Sequence, residues 1–501
     1  MKIKYTIIII LALFFANCSE DLDVDYKNNT DRVKLMENPD DVKGVASSLF
    51  FNWYKAQYFA YTFSPVMAMW TMADQGTASW TNGGMFDLSS EPREAFNNSE
   101  EYSWKFITQT YYEKMYANLS QTNDILKTLN KGMEIGKINE DGKGDETGMV
   151  RAFCYFNQGI TLGYLGLVFD KAFITTEFMD ENNLTLVETS DYKTVVDSAV
   201  VMLERCIEVC DNDDFMIPDS WINGTEYSNT ELSELAHSFI ARLLTYRPRT
   251  AAENNDTDWA IVLKHALLGI KRDLAPFMDN VTWYNHFYNY TFNNLTLDWC
   301  GVDARIIHLM DNEYPEVYPD LSIYPVPDRA HSDDLRLATD FRYDGSCPLK
   351  ADRGYYHFFN YEYKRYRYSY DHPDEVIDFS VTENSLIIAE AEYRLGNIPI
   401  AKTIINAGTR TTRGFLDEIT DDNKVLDALF YERDIELMMT GMGTAFFDMR
   451  RRDMLQKGTP LHFPIPAKEL NVMVEPIYTF GGVENADGIN TSNGGWKTTT
   501  K

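Results

Sequence analysis

The chain has 501 residues, with 46 Lys and Arg against 76 Asp and Glu, a formal charge of −30, and 44% hydrophobic residues. That balance excludes a counterion-releasing grip on DNA or RNA and a basic docking patch for anionic lipid, and it favours neutral or cationic ligands over polyanionic ones. The hydrophobic share is that of a folded body, and aromatics at 14% (31 Tyr, 29 Phe and 9 Trp) predict ring-rich surfaces.

The N-terminus reads as an address. Met1–Lys4 carries two lysines, Tyr5–Ala16 is apolar, and Cys18 follows. The apolar run is shorter than the roughly 20 residues a membrane span needs, so the layout is that of a secretory signal. Phe15-Ala16-Asn17-Cys18 resembles a bacterial lipobox, whose cysteine is acylated and becomes the mature first residue. Ser19-Glu20-Asp21 resembles the acidic tag of surface lipoproteins in Bacteroidetes-type bacteria. The expected organisation is a signal peptide over 1–17, a lipidated polar tether over 18–40, and one helical domain over 41–501. Beyond Cys18 lie Cys154, Cys206, Cys210, Cys300 and Cys347, an odd set without regular spacing and so not a disulfide framework. Cys206 and Cys210, four apart in an apolar helical stretch, are expected as small core residues.

From there the period is helical. Trp104–Lys131 places Trp104, Ile107, Tyr111, Met115, Leu119, Thr122 and Leu126 three or four apart, with Gly132 as a stop. Met149–Leu167, Tyr192–Val209, Thr230–Tyr246 and Asp258–Leu274 repeat the pattern, Asp258 serving as an N-cap. Trp283–Trp299 reads as a loop crowded with rings, and Tyr355–Tyr370, alternating aromatic and polar residues, as a strand pair. Glu383–Leu395, then Gly396-Asn397, then Pro399 in the first turn of a helix over Ile400–Thr411, is the punctuation of two antiparallel helices. The pair is similar in size and small-residue packing to a tetratricopeptide repeat. A last long helix is expected over Asn423–Thr440, ending at Gly441. No Pro-rich or Ser-rich linker divides the chain, so the fold class is mainly α: a single domain of tetratricopeptide-like helix pairs with long ligand-binding loops.

No HExxH, GxSxG, Walker-type loop or strand-borne GxGxxG occurs. The acidic runs Asp141–Asp145 and Asp211–Asp214 do not have EF-hand spacing. No catalytic residue, metal ligand or cofactor is therefore assigned.

Several blocks together resemble one family. They are Val150-Arg151-Ala152-Phe153-Cys154-Tyr155-Phe156, Ala236–Tyr246 (AHSFIARLLTY), Ala389–Asn397 (AEAEYRLGN), Tyr431-Glu432-Arg433, Phe447-Asp448-Met449-Arg450-Arg451 and His462–Leu470 (HFPIPAKEL). In this order they are similar to the SusD/RagB family of surface nutrient-binding lipoproteins. The resemblance implies a helical scaffold that captures oligosaccharides, or in some members peptides, without catalysis, and delivers them to a SusC-like TonB-dependent transporter in the outer membrane. A secreted hydrolase is the remaining alternative. Arg433, Glu436, Arg450 and Arg451 read as ion pairs and caps within the frame. By coarse position in the family the ligand loops are Ala73–Met85 and Trp283–Trp299. Trp80, Trp283, Tyr284, Tyr288 and Trp299 are then expected to stack on sugar, with Asp74 and Asn82 hydrogen-bonding its hydroxyls.

Overall fold

The computed structural model describes residues 32–60, 62–136, 144–179, 188–288, 300–346, 350–366 and 371–496. Cys18, Cys347, Trp299 and the expected signal peptide fall outside these residues. The α-helices of seven residues or more are α1 Pro39–Ser47, α2 Leu49–Tyr58, α3 Val66–Met72, α4 Phe106–Asn130, α5 Thr147–Val168, α6 Tyr192–Asn212, α7 Asn229–Tyr246, α8 Trp259–Leu267, α9 Ala304–Met310, α10 Val381–Arg394, α11 Ile398–Ala407, α12 Val425–Glu436 and α13 Thr444–Arg450. The strands are short. In chain order they are β1 Gly76–Thr77, β2 Lys171–Phe173, β3 Thr189–Asp191, β4 Met216–Ile217, β5 Tyr227–Ser228, β6 Phe277–Met278, β7 Gly301–Val302, β8 Phe341–Tyr343, β9 Tyr361–Tyr363 and β10 Asp374–Glu375. They pair antiparallel as β1–β7, β2–β3, β4–β5, β6–β10 and β8–β9. The fold is mainly α, as the periodicity predicts, and no described helix is long and apolar enough to cross a membrane.

Local chemistry sets the helix starts. Asp191 caps α6 by accepting from the Lys193 and Thr194 N–H groups. Ser228 and Glu231 form a reciprocal capping box on α7, and Asp258 caps α8 as expected. Consecutive helices then pack on one another from α4 through α8, with α8 against α10 and α10 against α11. The tightest approaches are made through glycines on α5. A methyl group at Gly159 would lie 2.5 Å from Leu203, at Gly163 2.5 Å from Leu243, and at Gly166 2.8 Å from Val196. Cys206 and Cys210 are buried free thiols on α6.

Some boundaries differ from expectation. α8 stops at Leu267 instead of reaching Leu274, because Gly269 sits where a β-carbon would be 2.3 Å from Ser238 Oγ. The Ile270 N–H donates to that hydroxyl, and the chain goes on to bridge Leu274 to Phe379. α11 has Pro399 in its first turn but ends at Ala407, and Gly408 separates it from a single turn at Thr409–Thr412. α12 covers only Val425–Glu436, the left-handed Met439 and Gly441 following it. Among the described residues of the aromatic run at 355, Tyr355–His357 is a 3-10 turn and β9 pairs with β8 instead of within the run.

Buried charge ties the C-terminal helices together. Arg433 on α12 donates to Asp448 on α13 at 2.8 Å, and Arg451 grips Glu390 on α10 through two 2.6 Å bonds while also meeting Asp448. Arg336 donates to Glu432 and Glu436. Arg450 donates to the carbonyls of Leu167, Leu461 and Tyr246, satisfying the acceptors left open at the ends of α5 and α7.

Candidate functional site

A loop face is assembled where residues 73–93 meet 311–330 and 350–360. Its base is the β1–β7 ladder, with Gly76 opposite Val302 and Thr77 opposite Gly301. Both glycines are needed for close approach: a β-carbon at Gly76 would lie within 2.2 Å of the Trp70 ring, and one at Gly301 about as near to Phe359. Beyond β1 the chain turns through Asn82–Gly84, where Gly83 and Gly84 take φ values of 61° and 74°.

Trp80 is half-buried on this turn, with the exposed Lys350 ammonium 4.4 Å from its ring centroid. The second loop is fastened to the first through Ser79. Its hydroxyl accepts from the Lys350 N–H at 3.1 Å, and its carbonyl accepts from Arg353 at 2.6 Å. Tyr356, half-buried, donates its hydroxyl to the Glu91 carbonyl at 2.9 Å, and Tyr355 rests against Phe358 with ring centroids 4.9 Å apart. Phe358 in turn packs on Tyr318, 5.6 Å away, while Ile323 and Tyr324 stand exposed on the third loop. Asn82 is half-buried on the same turn, two residues after Trp80. Trp80, Asn82, Lys350, Tyr355 and Tyr356 thus share one loop assembly.

Beneath it is a polar layer. Asp74, left-handed at φ 46°, receives Arg93 at 2.5 Å and the Trp496 indole N–H at 2.9 Å. With Glu91, Asp303 and His357 it surrounds a cavity of about 10 Å³, near the smallest that holds one water. Burial, then the Asp74 charge, pushes the Glu91 and Asp303 carboxyls above their usual range. Burial, then the charges of Arg93 and Arg353, lowers the His357 imidazole to about 3.

Four expected site residues lie elsewhere or are already engaged. Asp74 is 4% exposed, and both its carboxylate oxygens are occupied, so it fastens the loop instead of offering itself to a hydroxyl. Trp283 is 5% exposed, packed edge-on against Phe51 at 4.8 Å and stacked with Phe50 at 6.4 Å. Tyr284 is half-buried and stacks on Phe59 at 4.0 Å. Tyr288 is 1% exposed, its hydroxyl donating to the Tyr366 carbonyl and accepting the Tyr366 N–H. Trp283 and Tyr284 seal this segment against α2 and Phe59 just beyond it, Tyr288 ties it to Tyr366, and among the described residues no common platform joins the three rings to Trp80. Lys350, Arg353, Tyr355 and Tyr356 were not expected here. The crowded run from 355 reads as structural when its rings are counted together, yet its first two tyrosines sit on the turn before the buried strand.

Comparison with known proteins follows from this architecture. Residues 341–473 match the family model described as the SusD family. No curated protein matches the chain. Among solved structures, a SusD superfamily protein from Bacteroides vulgatus ATCC 8482 is similar, with a TM-score of 0.60 at 14% identity, over 87% of this chain and 97% of that one. A SusD-like carbohydrate binding protein from Bacteroides fragilis NCTC 9343 aligns with a TM-score of 0.58 at 12% identity, over 93% of this chain and 96% of that one. Another SusD-like carbohydrate binding protein, from Bacteroides vulgatus ATCC 8482, gives 0.55 at 14%, with 83% of each chain covered. Residues 341–473 are thus similar to the SusD family, and the chain as a whole has the fold of these SusD-superfamily structures.

Proposed function

We propose that this protein is a cell-surface lipoprotein that captures oligosaccharides on the loop face around Trp80 and passes them to a SusC-like TonB-dependent transporter. In this reading it is held at the outer membrane of a Bacteroidetes-type bacterium by acyl chains on Cys18, and it needs neither cofactor nor catalysis. The observation that carries the reading is the half-buried Trp80 ring beside Lys350, on the loop face of a SusD-like frame. Two of the similar structures are described as carbohydrate-binding, which supports the ligand class.

The chemistry suits a sugar. A pyranose presents C–H faces that pack on an indole, and its hydroxyls seek polar groups at the ring's edge. Here the Lys350 ammonium stands over Trp80, and Asn82, two residues along the same turn, supplies an amide. Lys350 is exposed, so its flexible side chain can leave the indole face to an incoming sugar at little cost.

Calorimetry against a panel of neutral and acidic oligosaccharides tests this. At least one glycan should bind, and Trp80→Ala should weaken it by at least about tenfold, on the scale of 1–3 kcal/mol for one aromatic contact. The melting temperature should fall by no more than a few degrees. Absence of heat with every glycan overturns the reading. Peptides found by mass spectrometry in the purified protein, and lost from the Trp80 variant, would assign peptide capture instead.

A further inference from the structure

A second concavity lies along the β8–β9 ladder, and Trp80 is not among its lining residues. It has a volume of about 340 Å³, at the lower end of the roughly 300–1,000 Å³ of small-molecule pockets. Its walls are the rings of Tyr343 and Tyr361 with Leu335 and Leu337, and its rim carries Arg329, Arg342 and Lys364. The charges are unequally committed. Arg342 pairs with Glu362. The Asp334 carboxylate is taken up by Arg336 and by the Tyr431 hydroxyl, and Asp311 accepts the His331 N–H. Arg329 and Lys364 have no ion-pair partner among the described residues. The Arg329 guanidinium is held 5.4 Å from the Tyr343 ring centroid, and the Tyr343 hydroxyl is anchored on the Pro327 carbonyl at 3.0 Å. In a chain of formal charge −30, two uncommitted cations on one ring-walled pocket oppose the general field.

We infer that this pocket is a subsite for an anionic sugar residue, whose carboxylate or sulfate ester is held by Arg329 and Lys364 while the ring lies against the half-buried Tyr343, which is backed by the buried Tyr361. The inference rests on the glycan-binding reading and deepens it: the captured oligosaccharide carries charge, contrary to what the net charge alone favours. Arg329 supplies a planar fork suited to a carboxylate or sulfate, and Lys364 a second positive charge on the same pocket.

Isothermal titration on the intact protein decides it, with trigalacturonate, its methyl ester, a sulfated chondroitin disaccharide, its desulfated form, neutral galactotriose and an Asp-Glu tripeptide as probes. One charged sugar should bind at least about tenfold tighter than its uncharged counterpart, the size of one charge-assisted contact. The preference should vanish in Arg329→Gln/Lys364→Gln and shrink as salt is raised, while affinity for neutral sugars is kept. Whether the acid or the sulfate arm responds identifies the charged group. Equal affinity for charged and uncharged sugars, or a preference that survives the double substitution, overturns the inference and leaves the glycan reading standing. Tighter binding of the acidic peptide than of any sugar overturns the sugar assignment. Silence from every glycan removes both.

Discussion

Trp80 and Trp283 carry the same ring into opposite circumstances. Trp80 keeps part of its indole open beside Lys350, whereas Trp283 is enclosed by Phe50, Phe51 and Tyr54 of α2. Trp283→Ala should therefore cost about 3–5 kcal/mol, the range for emptying a buried aromatic site, read from chemical denaturation. Trp80→Ala should cost less than about 1 kcal/mol. The sequence displays both rings in loops, but what covers a ring comes from residues far away in the chain, and that is why the two could not be told apart. Below the loop face, His357 links stability to pH. Its imidazole, lowered to about 3 by burial and then by Arg93 and Arg353, compares with about 6.5 when unfolded. Between those values the unfolded chain binds more protons than the folded one. The stability from the neutral ring is thus complete above about pH 6.5 and declines as pH falls toward 3. Denaturation midpoints at pH 7.5 and pH 5 should differ less in His357→Phe than in the parent protein.

At the scale of elements, helix contacts in the first half of the frame depend on backbone approach. α5 meets α6 and α7 through Gly159, Gly163 and Gly166, where any side chain would overlap Leu203, Leu243 or Val196. Gly163→Ala should destabilise by about 1–3 kcal/mol, the cost of overpacking a close interface, although alanine is the better helix former. The C-terminal helices are joined by charge instead. Burial would raise the Asp448 carboxyl, but Arg433, Arg451 and Arg452 overcome it and hold the group well below the usual carboxylate range. Its contribution is present above the unfolded value near pH 4 and is lost as pH falls through the lower folded value. Asp448→Asn leaves three arginines short of their partner and should cost about 3–5 kcal/mol near neutral pH, visible as a lower denaturation midpoint. Helices α4 through α8 and the pair α10–α11 were legible because their apolar period and caps are local. The early stop of α8 was not, because Ser238, on another helix, takes up the Ile270 N–H. The ion pairs of Arg433 and Arg451 were legible in kind, their partners only in space. Of the candidate site, Trp80 and Asn82 remain on the loop face. Lys350 and Arg353 join them through hydrogen bonds to Ser79 that no spacing in the chain announces.

For the whole molecule, anchoring and ligand capture are separable properties. The loop face is fastened internally, through Asp74 to Arg93 and Trp496 and through Ser79 to Arg353. Attachment in the proposed reading depends on Cys18 alone. One acyl chain holds a protein to a bilayer only marginally, and several chains on one cysteine hold it firmly. An anchored capturing protein beside a pore also keeps its cargo at a high effective concentration, so modest affinity suffices for uptake. Cys18→Ser should therefore move the protein out of the outer-membrane fraction of its native cells, as followed by immunoblotting. Calorimetry on the purified variant should return the parent's glycan affinity within about twofold, a difference of roughly 0.4 kcal/mol. Growth on the bound glycan should fall because proximity to the transporter is lost while recognition is intact. A Cys18→Ser protein that stays in the outer-membrane fraction would mean that contacts of the folded body hold it there, and the acyl anchor would then be superfluous.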